Sequence, residues 1–477
     1  MGDEHDAASL RTQTAAIRHL DAARAREVVA LFARPVASDD PDLGYDAGDP
    51  ITAATFGHIT LDRATAGHAA AIVGHYRTHL YLHEVLRLPP SVARELACHQ
   101  GHLYLDALRS ITDSTAAALA DHTTGGLSLN GLRRLSPAAA QALGRHRGEL
   151  SLDRVPRLDA ATAIGLAAHA NDLYLGGLRS LSPQAAAALS RHRGNLHLEK
   201  FDRLTERVAT HLARHQGKLH LHGVTALSTA AARAFGVRTG HLCLQNLRRL
   251  QPTQARLLTG HTGELQLKSL ELDDVTAAFL GRHSGSLVLR LPDDVSIAHL
   301  ACIVQHRGPL ELSGLGRLDA QRAEVLAAQP APGGHKGLTG LFLPGVRQLA
   351  PAVAAILATH DSGGLALNGL ELLDEDVARE LVKHPMLALD RVTSLTDQVA
   401  AILAAHSGTL SLRGLREVSG RALETLRANP GIELPGRLLE PGPAGNSATI
   451  RPPRAKPAEL VAAIARIAQL GEEALRG

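Results

Sequence analysis

The stretch GKLHLHG, residues 217–223, sets His220 and His222 two positions apart between leucines, and one repeat earlier GNLHLEK puts His197 and Glu199 in the same places. Alternate residues of an extended segment share a face, so His220 and His222 point the same way, as do His197 and Glu199. With strands about 4.8 Å apart and alternate residues about 6.6 Å apart, His197, Glu199, His220 and His222 form a two-by-two grid of three imidazoles and a carboxylate. Zinc takes four such ligands, with nitrogen at roughly 2.0 to 2.1 Å, so a metal sensor or metal-dependent hydrolase is one reading. Against it, an open sheet supplies no enclosing layer of hydrogen bonds to orient the ligands. The preferred reading is a contact surface, with no catalytic residue and no cofactor. No GxxxxGK[ST], GxGxxG after a strand, HExxH or GxSxG occurs, which removes the commonest nucleotide, zinc-protease and serine-hydrolase chemistries.

The elements that must position these residues are repeats. Starting at the first Leu of each LxL, units begin at residues 80, 103, 127, 150, 173, 196, 219, 242, 265, 287, 310, 341, 365, 387 and 410, and most are 23 residues long. A weaker copy starts at Ile59, and Ile432 to Leu434 reads as a lone last strand. The consensus is LxLxxLxxLSxxAAxALxxHxGx. The leucines of LxL face a core and the residue between them faces out. Position ten is usually Ser, Thr or Asp, as in Thr112, Ser136, Asp159, Ser182, Thr205 and Ser228, and predicts a helix N-cap. Ala at position fourteen lets the helix approach the strand closely. Gly at position twenty-two (Gly148, Gly194, Gly217, Gly263, Gly308, Gly408) predicts a left-handed cap that turns the chain back. Each unit has one apolar face and buries it only by stacking on copies of itself.

This pattern resembles the leucine-rich-repeat superfamily, and within it the bacterial 23-residue class called BspA-like or Treponema-type, over residues 80–434. The LxLxxLxxL core, the helical Ala and the period carry the resemblance. The Asn of the commoner repeat is absent, with Leu178 and Phe201 at the comparable inward position, and the Cys of the 23-residue class is replaced by His. The resemblance implies an α/β solenoid, a leucine-rich-repeat-like horseshoe of about fifteen strand-plus-helix repeats with helical caps at both ends. It also implies a partner protein bound on the concave sheet face.

The predicted organisation is a helical cap and linker over 1–50, the solenoid over 51–434, a Pro-rich linker over 435–457 and an amphipathic helix over 458–477 that serves as a cap or docks a partner. One return, QPAPGGHKGLTG from Gln329, is overlong.

Outward strand positions in the N-terminal half carry tyrosine and histidine. Tyr81, Tyr104, Tyr174, His197, His220 and His222 are the expected partner contacts, because tyrosine supplies rigid amphipathic area at low entropic cost. Arginines in the strand-to-helix loops (Arg109, Arg133, Arg134, Arg157, Arg179, Arg203) read as a solvated rim, or as an aid to binding an acidic partner. A second histidine set, at position twenty, runs from His99 through His122, His146, His169, His192 and His215 to His406, with Arg238, Gln329 and Asn429 as exceptions. It reads as a structural ladder in the last helical turn, donating to open carbonyls, with modest acid sensitivity at most.

A formal net charge of +3, from 50 basic and 47 acidic residues, gives no global field for phosphate, so nucleic acid is disfavoured. Three widely spaced cysteines form neither a metal knuckle nor an even disulfide framework, and no apolar run reaches membrane-spanning length. The expectation is a non-catalytic, cytoplasmic protein-interaction scaffold; a purely structural spacer is the remaining alternative.

Overall fold

The computed structural model describes residues 80–438 except 82–84, 99–100, 124, 269, 331–339 and 362. The expected elements over 1–79, the overlong return and nearly all of 435–477 lie outside the described residues, as do His79, His83 and His99. The described residues divide into two compact units, one comprising 80–203 and 214–223, the other 204–213 and 224–438.

In the first unit, LxL forms short parallel strands: β1 (Leu80–Tyr81), β2 (Leu103–Tyr104), β3 (Leu127–Ser128), β4 (Leu150–Ser151), β5 (Leu173–Tyr174), β6 (Leu196–His197) and β7 (Leu219–His220). Each pairs with the next in chain order, leucine beside leucine and middle residue beside middle residue. From β2 to β6 the two leucine amides of each LxL donate to the carbonyls of outward residues at the following strand, as Leu150 does to Asp172 and Leu152 to Tyr174, both at 2.9 Å. The second unit repeats this scheme through β8 (Leu242–Cys243), β9 (Leu265–Leu267), β10 (Leu287–Arg290), β11 (Leu310–Ser313), β12 (Gly340–Phe342), β13 (Gly364–Ala366), β14 (Met386–Ala388), β15 (Thr409–Ser411) and β16 (Ile432–Glu433).

Behind the strands lie helices of seven or eight residues. The expected caps form: Ser136 Oγ accepts from the Ala139 amide at 3.0 Å, Asp159 from Thr162 at 2.7 Å and Ser182 from Ala185 at 3.1 Å. Asp374 makes no side-chain cap, whereas Ser296, at position ten of the repeat that starts at Leu287, caps its helix at 3.1 Å. The layer between strand and helix is aliphatic and closed to solvent: Leu173, Leu175, Leu178, Ala186 and Leu189 are all fully buried, as are the two inward aromatics Phe201 and Phe235. Removing several such side chains from water in every repeat, at roughly 1.5 to 3 kcal/mol each, lets a chain without Trp hold a core. Polar side chains tie neighbouring repeats together inside that layer, with Thr115 Oγ1 donating to the Leu88 carbonyl at 3.0 Å and Thr276 Oγ1 to the Leu250 carbonyl at 3.1 Å.

Two expectations about the helix return are corrected. Among the described residues positive φ occurs at Gly314 and Gly363, not at the position-twenty-two glycines. Those glycines are required by close backbone approach: a Cβ on Gly148 would lie 1.7 Å from the Gly125 carbonyl oxygen, and one on Gly217 2.0 Å from that of Gly194. The ladder histidines also lie beyond the helices, since the helix Asp113–Leu119 ends three residues before His122, whose amide donates back to the Leu119 carbonyl at 3.1 Å.

Candidate functional site

On the face opposite the helices, the middle residues of β2 to β7 form one row in register: Tyr104, Ser128, Ser151, Tyr174, His197 and His220. The strand alternation that buries the leucines holds these side chains out, and parallel register sets like beside like. Tyr174 and His197 stack with ring centroids 4.1 Å apart, and His197 and His220 at 4.2 Å with planes 6° apart. The pairing predicted from GKLHLHG and GNLHLEK is therefore formed. Tyr104 stands at the other end of the row with His102 beside it, while β1 carries Tyr81 in register and the surroundings of its side chain lie outside the described residues.

Carboxylates flank the row. His222 Nδ1 meets Glu199 Oε2, and His197 Nε2 lies 3.7 Å from Asp172 Oδ2. Burial lowers the His197 pKa, against the pull of Asp172 and Glu199. The Tyr174 hydroxyl is pushed up to about 12, first by burial and then by the negative charges of Glu149, Asp172, Asp153 and Glu199. That residue therefore sits in a negative local field.

The grid does not converge as a metal cage. An imidazole nitrogen binds a metal in its ring plane, and the near-parallel planes of His197 and His220, 4.2 Å apart at their centroids, direct their lone pairs side by side. His222 lies edge-on to His220 at 86° and is already engaged by Glu199. What the four residues make is a stacked, hydrogen-bonded surface.

A feature that the sequence reading missed runs along the same face. Asp106 Oδ1 accepts from Ser128 Oγ at 2.6 Å and the Asn130 amide at 2.9 Å. Asn130 Oδ1 accepts from Ser151 Oγ at 2.7 Å and the Asp153 amide at 2.8 Å, and Asp153 Oδ1 accepts from the Gly176 amide at 2.7 Å. Asp or Asn at position four thus clasps the next repeat and fixes the serines. The signal was available in the recurrence of Asp106, Asn130 and Asp153 at the repeat period, and Asn368 and Asp390 repeat it in the second unit, where the Asp390 amide donates to Asn368 Oδ1 at 3.0 Å. The rim arginines Arg109, Arg133, Arg134, Arg157, Arg179 and Arg203 are exposed, as the solvated reading requires.

The ladder histidines form a separate, internal set. From His122 to His406 the described members are at most 3% exposed, and consecutive rings in the first unit are nearly parallel, 5.5 Å apart for His122 and His146 and 5.8 Å for His192 and His215. In the second unit His406 Nδ1 accepts from the Gly408 amide at 3.0 Å and Nε2 lies 2.8 Å from the His384 carbonyl. Asn429, one of the exceptions, copies both contacts: its Oδ1 accepts from Gly431 at 2.9 Å and its Nδ2 donates to the His406 carbonyl at 2.7 Å. Such a two-way link uses one ring nitrogen as acceptor and the other as donor. Burial lowers the pKa of His169, His261, His306 and His360 to about 4 and of His283 to about 3. Burial thus favours the neutral form at these five positions.

No protein-family model matches the chain, and no curated protein matches it. Solved structures with a similar architecture include an internalin of Listeria monocytogenes, at 13% identity over 79% of this chain and 89% of that one, TM-score 0.36. A leucine-rich-repeat protein of Leptospira interrogans matches at 14% identity over 78% and 98%, TM-score 0.35. The Toll–Spätzle complex of Drosophila matches at 13% over 74% and 52%, TM-score 0.40. These are likenesses of architecture alone, and the leucine-rich-repeat form, one parallel strand per repeat with a helix behind it, stands on the backbone ladder within each unit.

Proposed function

We propose that the chain is a non-catalytic interaction scaffold that binds another protein on the open sheet face of its first unit. The observation that carries this reading is the row of flat, half-buried side chains held in register there: Tyr104, then Tyr174 stacked on His197 and His197 on His220. Rings fixed by their neighbours lose little entropy on binding, and tyrosine presents both apolar area and a hydroxyl. His222, held by Glu199, extends the patch, and Tyr81 continues it by register. Within the same reading, segments 1–50 and 458–477 cover the ends of the 51–434 solenoid. Cys98, Cys243 and Cys302 form no disulfide with one another, which suits a reducing, cytoplasmic setting.

The test is affinity capture of partners from native cells with three full-length baits: wild type, a Tyr104→Ala, Tyr174→Ala double variant, and Val237→Ala, which alters a side chain 80% exposed outside the face. A polypeptide retained by wild type and by Val237→Ala but lost by the double variant is expected. Equal retention by all three would overturn the assignment of the face.

A further inference from the structure

The row on the open face is uneven. Between Tyr104 on β2 and Tyr174 on β5 lie only Ser128 and Ser151, so three strand spacings, about 14 Å, separate the two rings across a floor of hydroxyls. Since Tyr174 gives one ring face to His197, its other face is turned toward Ser151 and this trough. The sides of the trough are acidic. Glu149 precedes β4 and Asp153 follows it, Asp106 follows β2, and Asp172 precedes β5. The serine hydroxyls do not neutralise them, because Ser128 and Ser151 donate to Asp106 and Asn130 and the carboxylate charge stays in place.

Charge complementarity selects the occupant. The π face of tyrosine attracts a cation, and the attraction grows where carboxylates stand around the ring. An anionic segment would meet Glu149, Asp153 and Asp172 at close range. The rim arginines Arg133, Arg134 and Arg157 are exposed, where salt screens them, whereas Asp106, Asp153 and Asp172 are half-buried within the face itself.

Resting on the scaffold reading, we infer that the trough between Tyr104 and Tyr174 docks a basic segment of the partner protein, with an arginine or lysine side chain lying over Ser151 against Tyr174 and between Glu149 and Asp153. The inference reverses the polarity that the rim arginines suggest in the sequence.

The test uses the full chain and two fluorescein-labelled peptides, (Gly-Arg)4 and (Gly-Glu)4, titrated by fluorescence anisotropy at low salt. Wild type is expected to bind (Gly-Arg)4 and not (Gly-Glu)4. Tyr174→Ala and the Glu149→Gln, Asp153→Asn pair are each expected to weaken (Gly-Arg)4 by about tenfold or more. Tyr174→Phe keeps the ring and the affinity, and thermal melts of every variant confirm folding. Preference for (Gly-Glu)4, lost in Tyr174→Ala, would overturn the inference while leaving the scaffold reading intact. (Gly-Arg)4 binding that is absent, or indifferent to all these substitutions, would also overturn it, and the capture experiment would then decide the scaffold reading separately.

Discussion

Two residues carry most of what the sequence misread. Tyr174 was legible as an outward contact from its place in LxL, but its acidic surroundings depend on which residues of neighbouring repeats stand beside it, which only the register reveals. Because burial and four carboxylates push its hydroxyl up to about 12, alkaline titration followed at 295 nm is expected to show a step near pH 12 that Tyr174→Phe removes. The ladder histidine was legible as a repeated donor. That it also accepts was not, because this needs the turn that brings the amide two residues on against Nδ1. His406→Asn is therefore expected to hold its stability to within about 1 kcal/mol, as Asn429 makes both contacts naturally. His406→Leu, which strands the Gly408 amide and the His384 carbonyl, should cost about 1 to 3 kcal/mol for each buried group left unpaired. Urea unfolding of the two variants separates the cases, and equal losses would refute the two-way role.

At the scale of the element, period and polarity pattern were enough to place the strands and helices, because LxL and the small helical Ala admit few other packings. Caps at Ser136, Asp159 and Ser182 followed from residue type alone. The glycines did not, since a left-handed cap and a close backbone approach both ask for Gly and the sequence does not say which. The distinction has a measurable form. Gly217→Ala would force a Cβ to 2.0 Å from the Gly194 carbonyl and is expected to destabilise by several kcal/mol or prevent folding. Gly420→Ala meets nothing within 4 Å at the first residue of its helix and should stabilise by about 0.4 to 1 kcal/mol, through a less flexible unfolded chain. Thermal melts of the pair, moving in opposite directions, would confirm the assignment. Asp106, Asn130 and Asp153 stayed unread because a polar residue just after a strand is ordinary, and its clasp on the next repeat appears only in three dimensions.

For the whole molecule the ladder matters through its length. The sequence suggests modest acid sensitivity at most; burial points to more. A histidine with a lowered folded pKa adds stability that is complete above its unfolded value near 6.5 and declines as pH falls toward the folded value. His169, His261, His306 and His360, at about 4, and His283, at about 3, all act in the same direction. The melting temperature is thus expected to be flat from pH 8 to 7 and to drop steeply between pH 6.5 and 4. A midpoint unchanged at pH 5 would show that the imidazoles find proton-accepting partners in the folded chain.

The links between repeats, leucine amide to outward carbonyl and Asx oxygen to the next amide, recur at the same positions in successive units. Whole units are therefore interchangeable parts of a ruler. Excising residues 150–172 would set Tyr174 beside Ser128 with the hydrogen-bond pattern unbroken, and would shorten the distance from Tyr104 to Tyr174 from three strand spacings to two, about 10 Å. The gap between two aromatic side chains is set here in whole numbers of repeats, so duplication or loss of a unit changes what can lie between them by a fixed step and leaves the surrounding surface as it was.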